Sequence, residues 1–259
     1  MNNNKTNSFY CFLDFYSKRL LHTILYKNSL EFILKKHQIK NFYSFNNLDR
    51  FAFYEQYICK KNDIKLTCYP HGIEYGFQLP VCYTGDIFYT TSLKSENYLN
   101  NLYNVKKFIY NEELICKIFT RREKNIVSKT KLVFFTEPRE SRVNHEIIIN
   151  LKDVLKDSGI ILYLKLHPKD DKLNYLKYEL PFINSLDSAL INNVCFARKS
   201  STLLEAVYNN SSVAAILLNE KDRTFFKFFP SLQDDRINVF YLIKDLYFWI
   251  LEQYKLKSN

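Results

Sequence analysis

Two histidines stand where apolar runs end. One is in IKLTCYPHGIEYG, residues 64–76, which runs into Pro70-His71-Gly72; the other is in ILYLKLHPKDD, residues 161–171, which runs into His167-Pro168-Lys169. A histidine in such a place can take a proton from a hydroxyl or donate a hydrogen bond to a phosphate oxygen. Two more polar clusters follow apolar runs: Thr136-Glu137-Pro138-Arg139 and Arg198-Lys199-Ser200-Ser201-Thr202. Hydroxyls and cations in one place suit a phosphate. Taken singly, each cluster has a plainer role. Ser-Ser-Thr can cap a helix, Pro168 can end sheet pairing, and Glu137 with Arg139 can form a turn ion pair in place of a ribose or phosphate contact. The region 70–85 holds Gly72, Gly76 and Gly85, three of only four glycines in the chain, which points to backbone that approaches something closely. Asp170 and Asp171 are adjacent rather than spaced for a metal, and they read as a cap for the next helix.

The clusters can act together only if the fold brings them to one edge. From residue 131 apolar runs alternate with amphipathic stretches: a strand in KLVFFTEP, a helix through RVNHEIIINLKDVLKDSG closed by Gly159, and a strand in IILYLKL. VCFA is the next strand, STLLEAVYNN a helix, SVAAILL a strand, VFYLI another strand, and KDLYFWILEQYKL the last helix. The first half is less regular, with strands predicted at 40–44, 64–69 and 86–90 and helices near 20–36, 46–60 and 94–118. Alternating β and α means parallel sheets, and parallel sheets gather ligands at the carboxyl ends of their strands. All three clusters of the second half fall at such ends. The chain thus divides into a less regular half over 1–120 and a half over 121–259 that carries the phosphate-suited clusters.

Composition narrows the class. The chain has 259 residues, 47% of them hydrophobic and 25% charged, enough for a sizeable core. No apolar run approaches the roughly 18 residues of a membrane span, and the N-terminal stretch does not read as a signal peptide. The six cysteines form no CxxC pair, which suits reduced thiols in a cytoplasm and argues against zinc; no metal is expected. A net charge of +10 favours phosphate-bearing or anionic partners, including the inner leaflet of a membrane, where the protein would sit peripherally. The basic residues are scattered and carry no nucleic-acid motif, so no nucleic-acid partner is expected.

KLHP after an apolar strand, with a strand and an SST helix start some thirty residues on, resembles the HP and serine-rich motifs of bacterial sialyltransferases and polysialyltransferases of GT-B architecture. The likeness is best over residues 131–217. It implies an α/β, GT-B-like fold with two Rossmann-like halves, parallel sheets and a cleft between them. It also implies that His167, Pro168, Lys169, Ser200, Ser201 and Thr202, with Glu137 and Arg139, hold the nucleotide and phosphate of a CMP-activated sugar such as sialic acid or Kdo. The implied activity is an inverting, metal-independent glycosyl transfer to a glycan or glycolipid of a capsule or lipooligosaccharide, with the CMP-sugar as donor substrate and no further cofactor. Members of that family carry an acidic base motif after an N-terminal strand. Here Pro70-His71-Gly72-Ile73-Glu74 stands instead, closer to the His-Gly of CDP-glycerol polymerases, and either His71 or Glu74 is the candidate base. A CDP-glycerol-type glycerophosphotransferase, a nucleotide-sugar epimerase and a catalytically silent nucleotide-binding protein are the rival expectations.

Overall fold

The structure is a computed structural model. It describes residues 3–45, 50–70, 72, 74, 85–121, 129–139 and 141–258, the side chains of residues 3–19, Arg50, Lys257 and Ser258 excepted. The architecture is α/β and GT-B-like, built as two Rossmann-like units around two sheets.

The first unit comprises residues 1–71, 77–90 and 99–109. It begins with α1 (Asn3–Lys36), followed by β1 (Asn41–Ser44), α2 (Arg50–Lys61), β2 (Lys65–Cys68) and β3 (Ile87–Thr90). Helix α3 (Leu93–Tyr103) and β4 (Phe108–Tyr110) complete a sheet of order β1-β2-β3-β4, with β1, β2 and β3 parallel. The predicted helix over 94–118 is therefore two helices with a strand between them. Asn104, in a left-handed conformation (φ 52°), ends α3, and Phe108 turns into the core. That core joins Leu30 and Leu34 of α1, Ile58 and Cys59 of α2, and Leu66, Cys68 and Phe88 of the strands.

The second unit comprises residues 110–259 together with 72–76 and 91–98. Its elements are α4 (Glu112–Phe119), β5 (Leu132–Phe135), α5 (Ser141–Leu155), β6 (Leu162–Lys165), α6 (Leu173–Leu176), α7 (Leu186–Leu190), β7 (Val194–Ala197), α8 (Thr202–Val207), β8 (Ser212–Ile216), α9 (Glu220–Phe226), a 3-10 turn (Pro230–Gln233), β9 (Ile237–Phe240) and α10 (Ile243–Ser258). The division falls at Tyr110 rather than at the expected 120/121, because Ile115 and Phe119 of α4 pack on Tyr208 of this unit. All five strands run parallel in the order β6-β5-β7-β8-β9. Every residue of β5 and β7 is buried, as an inner parallel strand with both faces covered requires. Phe134 and Phe196 face one core with α5 and α10, while Val133, Phe135 and Cys195 face the other with α7 and α8. The strand order reverses between β5 and β7, whose chains leave in opposite directions across the sheet. A crevice opens at such a switch point, at the carboxyl ends of the strands.

Candidate functional site at the switch point

Thr136, His167 and the Ser200-Ser201-Thr202 run leave the ends of β5, β6 and β7. Together with Phe135, Lys165, Leu166 and Pro168 they line one cleft of about 320 Å³. That volume lies at the lower end of the range for small-molecule sites.

Thr136 organises the cleft. It is 3% exposed, and its Oγ1 accepts the backbone N–H of His167 at 3.0 Å while donating to Asp170 Oδ2 at 2.5 Å. The backbone N–H of Asp170 in turn donates to the His167 carbonyl at 2.9 Å, closing a four-residue turn with Pro168 in its second position, where the ring presets φ. Within that turn the Lys169 N–H donates to His167 Nδ1 at 3.1 Å. With Nδ1 accepting, the neutral ring carries its proton on Nε2, so His167 offers an N–H donor from that nitrogen. The expected cap is supplied by Asp171, which accepts from Leu173 N at 2.9 Å just before α6; Asp170 instead ties the turn to β5.

On the β7 side, Thr202 Oγ1 donates to Ser200 Oγ at 2.9 Å. Ser201 occupies the cap position of α8 and makes no capping hydrogen bond with its side chain, so its hydroxyl is not spent on the helix. Against Ser201 lies Gly72 with φ +126°, a backbone conformation reserved for glycine; a Cβ there would sit 3.7 Å from Ser201 Cβ. Lys165 donates to the Asn184 carbonyl, and burial holds its ammonium below the usual lysine range.

Other candidates from the sequence turn elsewhere. Glu137 is 8% exposed; its Oε1 accepts the Lys199 N–H at 2.5 Å, and burial outweighs that bond and the nearby cations to push its carboxyl up. Arg139 is exposed at the surface, and its carbonyl accepts from Arg198 Nη1 at 3.0 Å. Lys169 is exposed and contributes its backbone, not its side chain, to the turn. Glu74 is 2% exposed. Its Oε1 accepts the Thr91 N–H at 2.6 Å, and its Oε2 accepts the Thr91 hydroxyl at 2.8 Å and the Ser95 hydroxyl at 3.3 Å. Burial raises the Glu74 pKa despite those donors. His71 lies outside the described residues.

Just before the serine run lies a buried ion pair whose cation, Arg198, belongs to the cluster marked in the sequence and whose anion, Asp222, was not marked. Arg198, fully buried, donates to Asp222 through Nε at 2.6 Å and Nη2 at 2.8 Å, and Lys199 Nζ donates to the same carboxylate. Burial pushes the Asp222 pKa up, but hydrogen bonds from Arg198 and Lys199 bring it below the ordinary value. Lys199 is thereby committed to Asp222. The signal was present: Asn219 and Asp222 follow the apolar run of β8, and the Asn219 side chain caps α9 by accepting from Asp222 N at 2.8 Å.

Among the described residues no group of three or more His, Cys, Asp or Glu could hold a metal ion, and no helix is long and apolar enough to cross a membrane. No family model and no curated protein matches the chain. Its fold is shared. The crystal structure of accessory secretory protein 1, 2 and 3 in Streptococcus pneumoniae is similar over 91% of this chain with a TM-score of 0.54 at 10% identity. The chain spans about half the length of that protein, 52%. At this identity the likeness is one of fold, an α/β architecture with parallel sheets.

Proposed function

We propose that the switch-point cleft holds the phosphate of a cytidine nucleotide and that the chain is an inverting, metal-independent glycosyltransferase using a CMP-activated sugar. One observation carries the proposal: three successive strand ends deliver Thr136, His167 and Ser200-Ser201-Thr202 to a single cleft, with the His167 ring fixed as an Nε2–H donor. In the transfer, an acceptor hydroxyl loses its proton to a base and attacks the anomeric carbon while the nucleotide phosphate departs. His167 Nε2–H and the Ser200 and Ser201 hydroxyls meet the charge developing on that phosphate. His71 is the base in this scheme. It precedes Gly72 in the sequence, and the alternative base, Glu74, has both oxygens already engaged. The acceptor would be a glycan or glycolipid of a cell-surface polymer, reached by a cytoplasmic enzyme lying peripherally on the inner leaflet.

The His71-Gly72 pair in the sequence, with Gly72 beside Ser201, supports a second reading, a CDP-glycerol-type glycerophosphotransferase. Calorimetry with CMP, CDP, UMP and UDP tests the nucleotide: the cytidine forms should bind more tightly, and equal or absent binding for all four refutes the proposal. Release of nucleotide from CMP-sialic acid, CMP-Kdo, CDP-glycerol or UDP-sugars then separates the two reactions.

A further inference from the structure

Helix α1 is apolar on two opposite sides. Leu30 and Leu34 turn into the core of the first unit, and Thr23 is buried on the same side. Leu21 and Leu25 stand nine residues before those two leucines, about two and a half turns away and so on the far side of the helix. Phe32 joins them on that outward side, and the three are 72%, 56% and 64% exposed. Ile24 and Ile33 flank the band and are exposed as well. A surface helix of a globular domain has one apolar stripe and a polar face opposite it. Here the face turned away from the core carries five large apolar side chains, on the order of a few hundred Å², the size at which an exposed patch marks an interaction site.

The charge around the band has one sign. From Leu20 to Lys36 the helix has Lys27, Lys35 and Lys36 against a single acid, and that acid, Glu31, is held between Lys35 at 3.0 Å and Lys61 of α2 at 2.9 Å. Lys36 lies over the Phe32 ring at 5.6 Å, so its ammonium stands at the edge of the apolar band. Lys27 lies in the same way over the exposed ring of Tyr57 of α2, at 6.0 Å. A lysine whose stem runs along apolar surface while its ammonium stays at the rim is placed to reach a phosphate that the apolar side chains cannot meet. Leucine and phenylalanine on a face rimmed by lysine are the composition of a helix that lies in the boundary between lipid headgroups and acyl chains.

We infer, resting on the peripheral placement proposed for the chain, that the outward face of α1 is the surface that docks on an anionic lipid bilayer. Leu21, Leu25 and Phe32 enter the acyl boundary, and Lys35 and Lys36 meet the headgroup phosphates. A second copy of the chain fits this face less well. The band from Leu21 to Phe32 covers only about three turns, and two such bands pressed together bury less than the roughly 1,000 Å² of a specific interface. They would also carry lysine against an interface core, where lysine is depleted.

The test is co-sedimentation of the full chain, at low salt, with vesicles of phosphatidylcholine alone or mixed with phosphatidylglycerol. The parent should bind the anionic vesicles and leave the neutral ones. An L21S/L25S/F32S variant should weaken that binding about tenfold or more, and Lys36→Gln about fivefold. An L242S/F248S/L256S variant, which removes as many exposed apolar side chains from the second unit, should bind within about twofold of the parent. In Phe32→Trp, phosphatidylglycerol with brominated acyl chains should quench tryptophan fluorescence beyond the level that Trp249 gives in the parent. Parent binding that the serine variant of α1 leaves unchanged, with no added quenching at residue 32, overturns the docking face and leaves the peripheral placement standing. No binding to anionic vesicles overturns both, while CMP calorimetry still reads the cleft by itself. A parent that is a dimer in the ultracentrifuge, and a monomer in the L21S/L25S/F32S variant, gives the face to a second copy and overturns the inference too.

Discussion

Thr136→Val keeps the shape of the side chain and removes the one hydroxyl on which the cleft turn hangs. The backbone N–H of His167 loses its acceptor and the Asp170 carboxylate loses its donor. A neutral hydrogen bond contributes about 1 kcal/mol net and one to a charged group about 2 kcal/mol, so the substitution should cost about 3 kcal/mol. For a chain of this size that is a fall of roughly 6–12 °C in Tm. The turn positions the His167 ring, so CMP affinity should fall as well, by about tenfold if the ring's donor loses its fixed aim. Thr136→Ser restores both hydrogen bonds and should recover most of the stability and affinity. Differential scanning fluorimetry with and without CMP gives both numbers. A valine variant with Tm within about 2 °C of the parent and unchanged CMP binding would refute the assignment of Thr136 as the anchor of the turn.

Three further outcomes follow from the site. Asp222→Asn strips the carboxylate from a fully buried Arg198 and should cost about 3–5 kcal/mol, whereas replacing Arg198 and Asp222 together by leucines should cost much less; urea melts decide. Because its folded pKa is depressed, Asp222 gives stability that is present above its unfolded pKa and is lost as pH falls below about 4 through the folded value, a slope the asparagine variant should lack. Glu74 has the opposite sign: burial raises its folded pKa, so its contribution is fullest below the unfolded value near 4.5 and declines as pH rises through the folded one. Relative to the parent, Glu74→Gln should therefore gain stability as pH rises above about 4.5, and a difference that stays flat as pH rises refutes the raised pKa. His71→Ala should lower turnover about 10²-fold with donor affinity nearly intact, while His167→Ala should weaken both, as base and phosphate contact respectively would; if Glu74→Gln abolishes turnover and His71→Ala does not, the carboxylate is the base.

The second half was legible because its inner strands are continuous apolar runs bounded by polar clusters, and the clusters themselves marked the strand ends. LVFF, LYLK, VCFA and SVAAI all became strands where expected. The last strand was read too late along the chain: it spans Ile237–Phe240, and the apolar residues that continue past it, Tyr241 and Leu242, are 49% and 58% exposed. Strand β4 escaped because three residues cannot display an alternation, and the charged residues around it kept a helical rhythm. At the site, Thr136, His167 and the serine run could be placed together from topology alone. Burial could not be read in the same way. Glu74 and Glu137 have the chemistry of exposed acids in sequence, and only the packing of Thr91 and Lys199 against them shows that their oxygens are taken.

The second unit borrows residues 72–76 and 91–98 from the first half of the chain, and this sets an order on its assembly. Tyr208 donates its hydroxyl to the Thr91 carbonyl across 117 positions, and Arg236 steadies that hydroxyl from farther on. On the ribosome the early segments must wait for those partners, roughly 6–23 s at ordinary elongation speed. A fragment cut at 120/121 would leave Tyr208 without the Thr91 carbonyl and Ser201 without Gly72 beside it. The second unit is thus discontinuous along the chain, and only a polypeptide that retains both early segments should fold it to completion.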